Sequence, residues 1–480
     1  MAARNSSSKY VVAHHMVGNT YPYTVQDWAD DITLAHASGI DGFALNIGKD
    51  SWQPDRISDA YEAASRSGLD FKLFISLDMT SLPCATPSDA QALRKIVAKY
   101  ISHPHQLQID SRAMVSSFSG EKCTFGRGNA PDGWKSEVTG HPDLQGKIHF
   151  VPSFFIDPAT FGSFRGIMDG DFNWNAAWPI QLTTDYVRNM LSHRSVDRGK
   201  ADASEELSLL ARAGARIDLK SARIQNALSR LIGSTDPDTQ HLEQLGALTG
   251  GLSRRSGTSK PTYMAPVSPW FFTHYGADSF NKNFVYLSDQ HLYAKRWESL
   301  IKTRDQVDIV QILTWNDYGE SHYIGPIKGA QPNSQAWVDG MDHTGWLALT
   351  QYYATAFKTG SFPAVKTDKL VMWSRTHPTY AKAPDPVSQP TNFELFEDAV
   401  WVVVMTTAPS TVVLSTSPIN SETFQVPAGL TKLSIPIAAG GKLKGMIARG
   451  GKTLVTLNPE KFAFQANPKT YNFNAFVAST

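Results

Sequence analysis

YVVAHHM at residues 10–16, GFALNI at 42–47 and FKLFISL at 71–77 are three short apolar runs. Between them lie VQDWADDITLAHA at 25–37 and DRISDAYEAASRS at 55–67, whose apolar residues recur at helical spacing. Thr24 stands where a helix N-cap belongs, and Gly39 lies just past the end of the first helix. Strand, helix, strand, helix, strand is the rhythm of βα units on a parallel sheet. Working outward, further strands are expected at 113–118, 147–154, 172–175, 262–267 and 309–314, which makes eight. Eight parallel strands predict an α/β fold of the (β/α)8 TIM-barrel type. In that fold the reacting groups sit at the C-terminal strand ends, so the residues just after each apolar run are the ones to inspect.

A chain of 480 residues exceeds what one core usually organises, so a large domain with a smaller companion is expected. Residues 1–9 read as a flexible leader, 10–383 as the barrel, and 384–480 as an all-β domain of sandwich type. In that last stretch Pro and Ser punctuate short β-branched runs at 400–407, 411–415, 432–437 and 452–457. A structural cap is favoured there over a glycan-binding module, since no ladder of aromatics is evident. Residues 192–256 break the βα rhythm. Rich in Arg, Ala, Leu and Ser, with Ile224, Leu228 and Leu231 at helical spacing, they read as an inserted helical pair, either a surface excursion or a shaper of the cleft or of a subunit contact.

Lys and Arg number 45 against 44 Asp and Glu, so no net field gathers nucleic acid, anionic lipid or an acidic substrate. A neutral partner fits. Aromatics make up 11% of the chain, including 12 Trp and 16 Tyr, enough flat rings to stack on sugars even if most are core. No apolar run is long enough to span a bilayer, and the first residues lack the pattern of a signal peptide. The sequon at Asn5 lies in the leader. Cys84 and Cys123 are too few for a disulfide scaffold or a thiolate zinc site.

The strongest constellation follows the strand at 309–314, where Trp315, Asn316, Asp317, Tyr318, Glu320, His322 and Tyr323 crowd one strand end. Glycoside cleavage needs one carboxylic acid to protonate the leaving oxygen and a second carboxylate to activate water or attack the anomeric carbon. Asp317 and Glu320, three apart, can supply both, and each raises the other's pKa. The alternative is a helix N-cap at Asp317 with Glu320 closing a capping box. Asp78 follows the third strand in the same manner. His14, His15, Asn46, Asp169, Asp171, Asn173 and Trp174 also fall at strand ends, as hydroxyl recognition requires. A barrel zinc site is disfavoured because adjacent His14 and His15 point to opposite faces of a strand. No cofactor fingerprint is present, so neither metal nor cofactor is expected.

AHHMVGNTY at 13–21, DGFALN at 41–46, SLDMT at 76–80, FSGEKC at 118–123, MAPVSPWFFTHY at 264–275 and TWNDYGES at 314–321 together resemble the fungal α-1,3-glucanases, or mutanases, of glycoside hydrolase family 71. The resemblance runs from Tyr10 to the end. It implies endo-acting, inverting hydrolysis of the cell-wall polymer α-1,3-glucan, with Asp317, Glu320 and Asp78 on the family's acidic positions. The expected roles are Glu320 as general acid and Asp317 as base, with Asp78 supporting or sharing the base role; the first two can be exchanged. Trp174, Trp178, Trp270, Trp315, Tyr318 and Trp346 are candidates for lining the substrate with rings. His14, Asn46, His274 and Asn316 are candidates for hydrogen bonding. Cys84 follows the third strand and Cys123 the fourth, so a disulfide between neighbouring loops is expected. The 192–256 insertion departs from the family pattern and bears on cleft shape. A monomer is expected, secreted or wall-associated if a signal peptide has been removed and otherwise cytoplasmic. The competing readings are an α-glucanase of another linkage and a glucan-binding wall protein that does not cut.

Overall fold

The computed structural model describes residues 9–192, 219, 222–249 and 260–480. Strands β1 (Tyr10–Met16), β2 (Gly42–Ile47), β3 (Lys72–Asp78), β4 (Arg112–Phe118), β5 (Ile148–Phe150), β6 (Gly170–Phe172), β7 (Thr262–Val267) and β8 (Ile309–Ile312) form one curled parallel sheet in an α/β architecture. Their ladder order is β5-β4-β3-β2-β1-β8-β7-β6. Strands adjacent in sequence are adjacent in the ladder except β5 and β6, which lie at its two ends, and β1 pairs with β8.

The connections follow the local rules. Helix α1 (Val25–Ala37) opens on a reciprocal capping box between Thr24 and Asp27, and Pro87–Ala98 on one between Thr86 and Asp89. Gly42 is demanded by packing, since a Cβ there would run into the carbonyl of Lys72 on the next strand. Within residues 192–256 the described helices are Ala222–Leu231 and Asp236–Gln244; the rest of that stretch lies largely outside the described residues, as do Asn5 and all but the last residue of the leader.

Beyond the parallel sheet come two antiparallel four-stranded sheets. The first holds β9 (Lys369–Ser374), β10 (Ala399–Thr406), β13 (Gly429–Pro436) and β16 (Phe476–Ser479). The second holds β11 (Ser410–Ser417), β12 (Asn420–Val426), β14 (Lys444–Arg449) and β15 (Lys452–Leu457). The first of these strands begins at Lys369, ahead of the change of composition near Pro384. Alternation along β9 and β10 divides the side chains between two cores. Leu370, Met372, Val402 and Val404 meet Val412, Leu414 and Ile447 of the other sheet. Val371, Trp373, Trp401 and Val403 pack into the main core. Polar ties reinforce that junction: the Trp401 indole donates to Asp289 at 3.2 Å, and His291 Nε2 lies 3.1 Å from the Val402 carbonyl.

Candidate active site

After β8 the chain leaves the sheet through a hydrogen-bonded turn. Leu313 N still donates to Val267 O at 2.8 Å and Trp315 N to His14 O at 2.7 Å, which holds the segment between β7 and β1. It then folds back, Ile324 N donating to Thr314 O at 3.0 Å. The reversal is stitched by Asp317 N on Thr314 Oγ1 at 2.8 Å and by Glu320 N on Asp317 Oδ1 at 3.2 Å. Asp317 thus does cap its own turn, as the N-cap alternative has it, but no helix follows and its second oxygen stays free of that duty. Gly319 is required here, because a Cβ would collide with the Tyr275 hydroxyl.

The two carboxylates open into a cavity of about 290 Å3 at the C-terminal strand ends. Its walls include His14, Asn46, Asp78, Trp174, Asp317 and Glu320, all expected from sequence, together with Phe118, Tyr275, Phe280 and Lys282. Asp78 comes from β3, three strands along the ladder from β8, and its Oδ1 accepts from Thr80 N at 3.1 Å and Thr80 Oγ1 at 2.6 Å.

His322 organises the acidic pair. Its side chain is 0% exposed, against 18% for Asp317 and 23% for Glu320, and its Nε2 lies 3.0 Å from Glu320 Oε2 and 3.6 Å from Asp317 Oδ2. Phe271 stacks on the imidazole at 5.5 Å and Trp178 meets it edge-on at 5.5 Å. Lys282 reaches Glu320 Oε1 at 3.3 Å. Burial and the neighbouring Glu320 charge push Asp317 up to about 6, against a smaller pull from His322. Burial would raise Glu320 too, but the hydrogen bond and charge of His322, with the Lys282 ammonium, outweigh it and hold Glu320 down at about 2. Asp78 is also raised, by burial. Burial and the nearby His322 and His15 push His14 down to about 3, so it is a neutral hydrogen-bonding group. The cavity therefore holds one carboxyl that keeps a proton readily and one that does not.

Other residues singled out in the sequence are not brought to this cavity. Trp270, Trp315, Tyr318 and Trp346 are 0% exposed and have no free face for a sugar. The Trp270 indole donates to Phe473 O at 2.8 Å, Tyr318 Oη to Pro326 O at 2.9 Å, and Trp346 packs between His343 and Trp373. Trp178 is buried behind His322, its indole on Trp270 O at 3.0 Å. Asn316 clamps β1 through Met16 N at 2.7 Å and Met16 O at 3.1 Å. His274 lies between Asn283 at 2.8 Å and Asp385 at 2.9 Å. His15 faces away from the cavity onto Asp31 at 3.2 Å and Trp28. Lys282 and Tyr275 went unnoticed in the sequence; only Tyr275 lay in a quoted motif.

Asp317, Glu320 and His322 offer three ligand atoms within 4.8 Å of one another. A cation there would compete with the Lys282 ammonium and the His322–Glu320 hydrogen bond, so the chemistry of the set fits an ion-paired acid cluster better than a metal centre. Cys84 and Cys123 form a disulfide, with Cα atoms 5.2 Å apart, joining the loops after β3 and β4 beside the cavity. It closes a loop of sequence separation 39. Cys84→Ser with Cys123→Ser should cost about 3–4 kcal/mol, read as a lowered midpoint of urea unfolding; an unchanged midpoint would mean that the bridge constrains nothing.

A carboxyl that holds its proton and an ionised one, facing the same ring-walled cavity, are the groups that glycoside cleavage uses. The chain belongs to glycosyl hydrolase family 71, whose model matches residues 7–216 and 224–480, so that all of residues 192–256 but 217–223 falls within the family pattern, against the departure expected from sequence. It is 36% identical over 482 residues to the glucan endo-1,3-alpha-glucosidase agn1 of Schizosaccharomyces pombe, covering 98% of this chain and 95% of that protein. To a mutanase of Penicillium rubens it is 31% identical, covering 99% and 89%. Among solved structures, the GH99 endo-alpha-mannosidase from Bacteroides thetaiotaomicron aligns with a TM-score of 0.43 at 9% identity, over 74% of this chain and 99% of that one, too distant to inform the site.

Proposed function

We propose that this glycoside hydrolase cuts α-1,3-glucan within the chain, using Asp317 as general acid. The observation that carries the reading is geometric: both carboxyls open into one cavity, and His322 at 3.0 Å and Lys282 at 3.3 Å hold Glu320 ionised, while Asp317, buried beside that charge, is raised. The acid must hold a proton until the glycosidic oxygen needs it, which suits Asp317. This gives Asp317 the acid role first expected of Glu320 and moves the base role to Asp78. Glu320, ionised and clamped by His322 and Lys282, stabilises positive charge developing at the anomeric carbon. Asp78 acts as the base that activates water, with inversion. Oxygens of Asp317 and Glu320 lie within 4.8 Å, less than the ~6.5–9.5 Å that leaves room for water between an inverting pair. Inversion therefore calls for Asp78, whereas retention would make Glu320 the nucleophile.

The test is to incubate the protein with insoluble α-1,3-glucan and follow reducing ends and the first anomer released. Internal scission with the β-anomer first supports the reading. The α-anomer first replaces Asp78 with Glu320 as the group attacking or assisting on the far face. Binding without release of sugar favours a non-catalytic glucan binder, and release only from another α-glucan a different linkage.

The same reading takes the parallel sheet as a closed (β/α)8 barrel. Support comes from Asp169 N donating to Phe150 O at 2.8 Å and Phe172 N to Pro152 O at 3.0 Å, which join the two outer strands β5 and β6. It takes the two antiparallel sheets as a sandwich domain that caps the barrel. The disulfide suits an oxidising, extracellular or wall-associated setting, as does a relative named for the ascus wall, the S. pombe ascus wall endo-1,3-alpha-glucanase. Among the described residues no helix is long and apolar enough to cross a membrane. The partner is then the glucan itself, acted on by a monomer.

A further inference from the structure

Beside the catalytic cavity lies a second one of about 200 Å3, and Trp174 lines both. Its other walls include Ser153, Phe155, Asn173, Asn175 and His241. Phe118, a wall of the catalytic cavity, meets Trp174 edge-on at 4.7 Å and Phe155 at 5.3 Å, so an aromatic surface continues from one cavity to the other. Phe155 is 41% exposed, so part of its ring is open to a ligand.

His241 lies on the helix Asp236–Gln244, and its position is fixed from below. Three residues earlier on the same helix face, Asp238 receives both Arg296 Nη1 at 2.5 Å and Nη2 at 2.8 Å, and Tyr263 Oη at 2.9 Å. Asn173 Nδ2 donates to Pro237 O at 3.1 Å. The His241 ring itself is held by Asp171 of β6, Nδ1 to Oδ2 at 2.8 Å, and Asp171 is 0% exposed. A carboxylate on Nδ1 fixes that nitrogen as donor and leaves Nε2 to accept from a ligand.

We infer that this second cavity binds a further glucosyl unit of the polymer being cleaved, one that rests on the Trp174–Phe118–Phe155 wall while His241 hydrogen-bonds a hydroxyl. The inference rests on the α-glucanase reading above. The chemistry of the walls selects the ligand. Apart from His241 they carry hydroxyl, amide, aromatic and aliphatic groups, with no carboxylate, Lys or Arg among them, so a neutral polyol fits and an anion does not. Lacking an acid, the cavity binds without cutting. The helix Asp236–Gln244 thereby lengthens the stretch of polymer that the enzyme grips.

The experiment measures kcat/KM on α-1,3-linked gluco-oligosaccharides of increasing length for the wild type, Phe155→Ala and His241→Ala. The expected result is a loss of about tenfold per variant on oligomers long enough to span both cavities, the scale of one lost stacking or hydrogen-bonding contact. The shortest cleaved oligomer should stay within about twofold. Phe155 is exposed enough that its variant should keep the wild-type melting midpoint, which separates a binding effect from misfolding. Equal losses at every length, or no loss at any, overturn the inference. A wild type that cleaves none of these oligomers instead overturns the glucan reading on which it stands.

Discussion

Asp317→Asn should lose about 10²–10⁴-fold in kcat, the usual contribution of a general acid, and most of that loss should be recovered on an α-glucoside whose leaving group departs without a proton. The physical ground is the asymmetry of the acidic pair. Burial and the Glu320 charge push Asp317 up to about 6, so its proton is held below that pH and lost above it. Activity that needs the protonated form is accordingly full below about pH 6 and declines as pH rises through it. In Lys282→Met the ammonium that favours both carboxylates is gone, and the decline should move to higher pH. Asp78→Asn removes a base rather than an acid, so its loss should not be recovered by the better leaving group. If Glu320→Gln is the variant that the leaving group rescues, the roles revert to Glu320 as acid and Asp317 as base.

How far such a site can be read from sequence depends on which contacts are local. The eight strands were legible because each is a short apolar run ended by a turn signal, and all eight appear near their expected places. Their ends were less so: the run expected at 172–175 is strand only over Gly170–Phe172, because Asn173 and Trp174 leave the strand to line the second cavity. Asp78, Asp317 and Glu320 stood out since a strand end must deliver its polar groups to one mouth. Lys282 could not, because its link to Glu320 spans 38 residues and depends on a hairpin, Phe272–His274 with Asn283–Val285, folding over the mouth. The tryptophans were ambiguous for a related reason. A ring needed for stacking and a ring needed for the core look alike in sequence, and Trp270 and Trp346 are buried only where the β-sheets and C-terminal residues dock.

The anchoring of the helix Asp236–Gln244 offers the second large effect. Asp238→Ala should destabilise the protein by about 3–5 kcal/mol, the cost of leaving a buried charge without its partner. Arg296 is 0% exposed, and two of its guanidinium bonds end on Asp238. The others reach Pro266 O at 3.1 Å and Ser234 O at 2.9 Å, neutral carbonyls that cannot balance the charge. Asp238→Leu with Arg296→Met removes both ions and should be less destabilised in urea than Asp238→Ala alone, since a well-packed apolar pair avoids the desolvation penalty. A double variant as unstable as the single would mean that packing of the helix, not the ion pair, holds it. The two variants also separate stability from function. Both lose the anchor beneath His241, so if Asp238 fixes that imidazole over the second cavity, even the better-folded double variant should show a selective loss on long oligosaccharides. Full retention of long-chain activity there would place the hold on His241 in its bond to Asp171 alone.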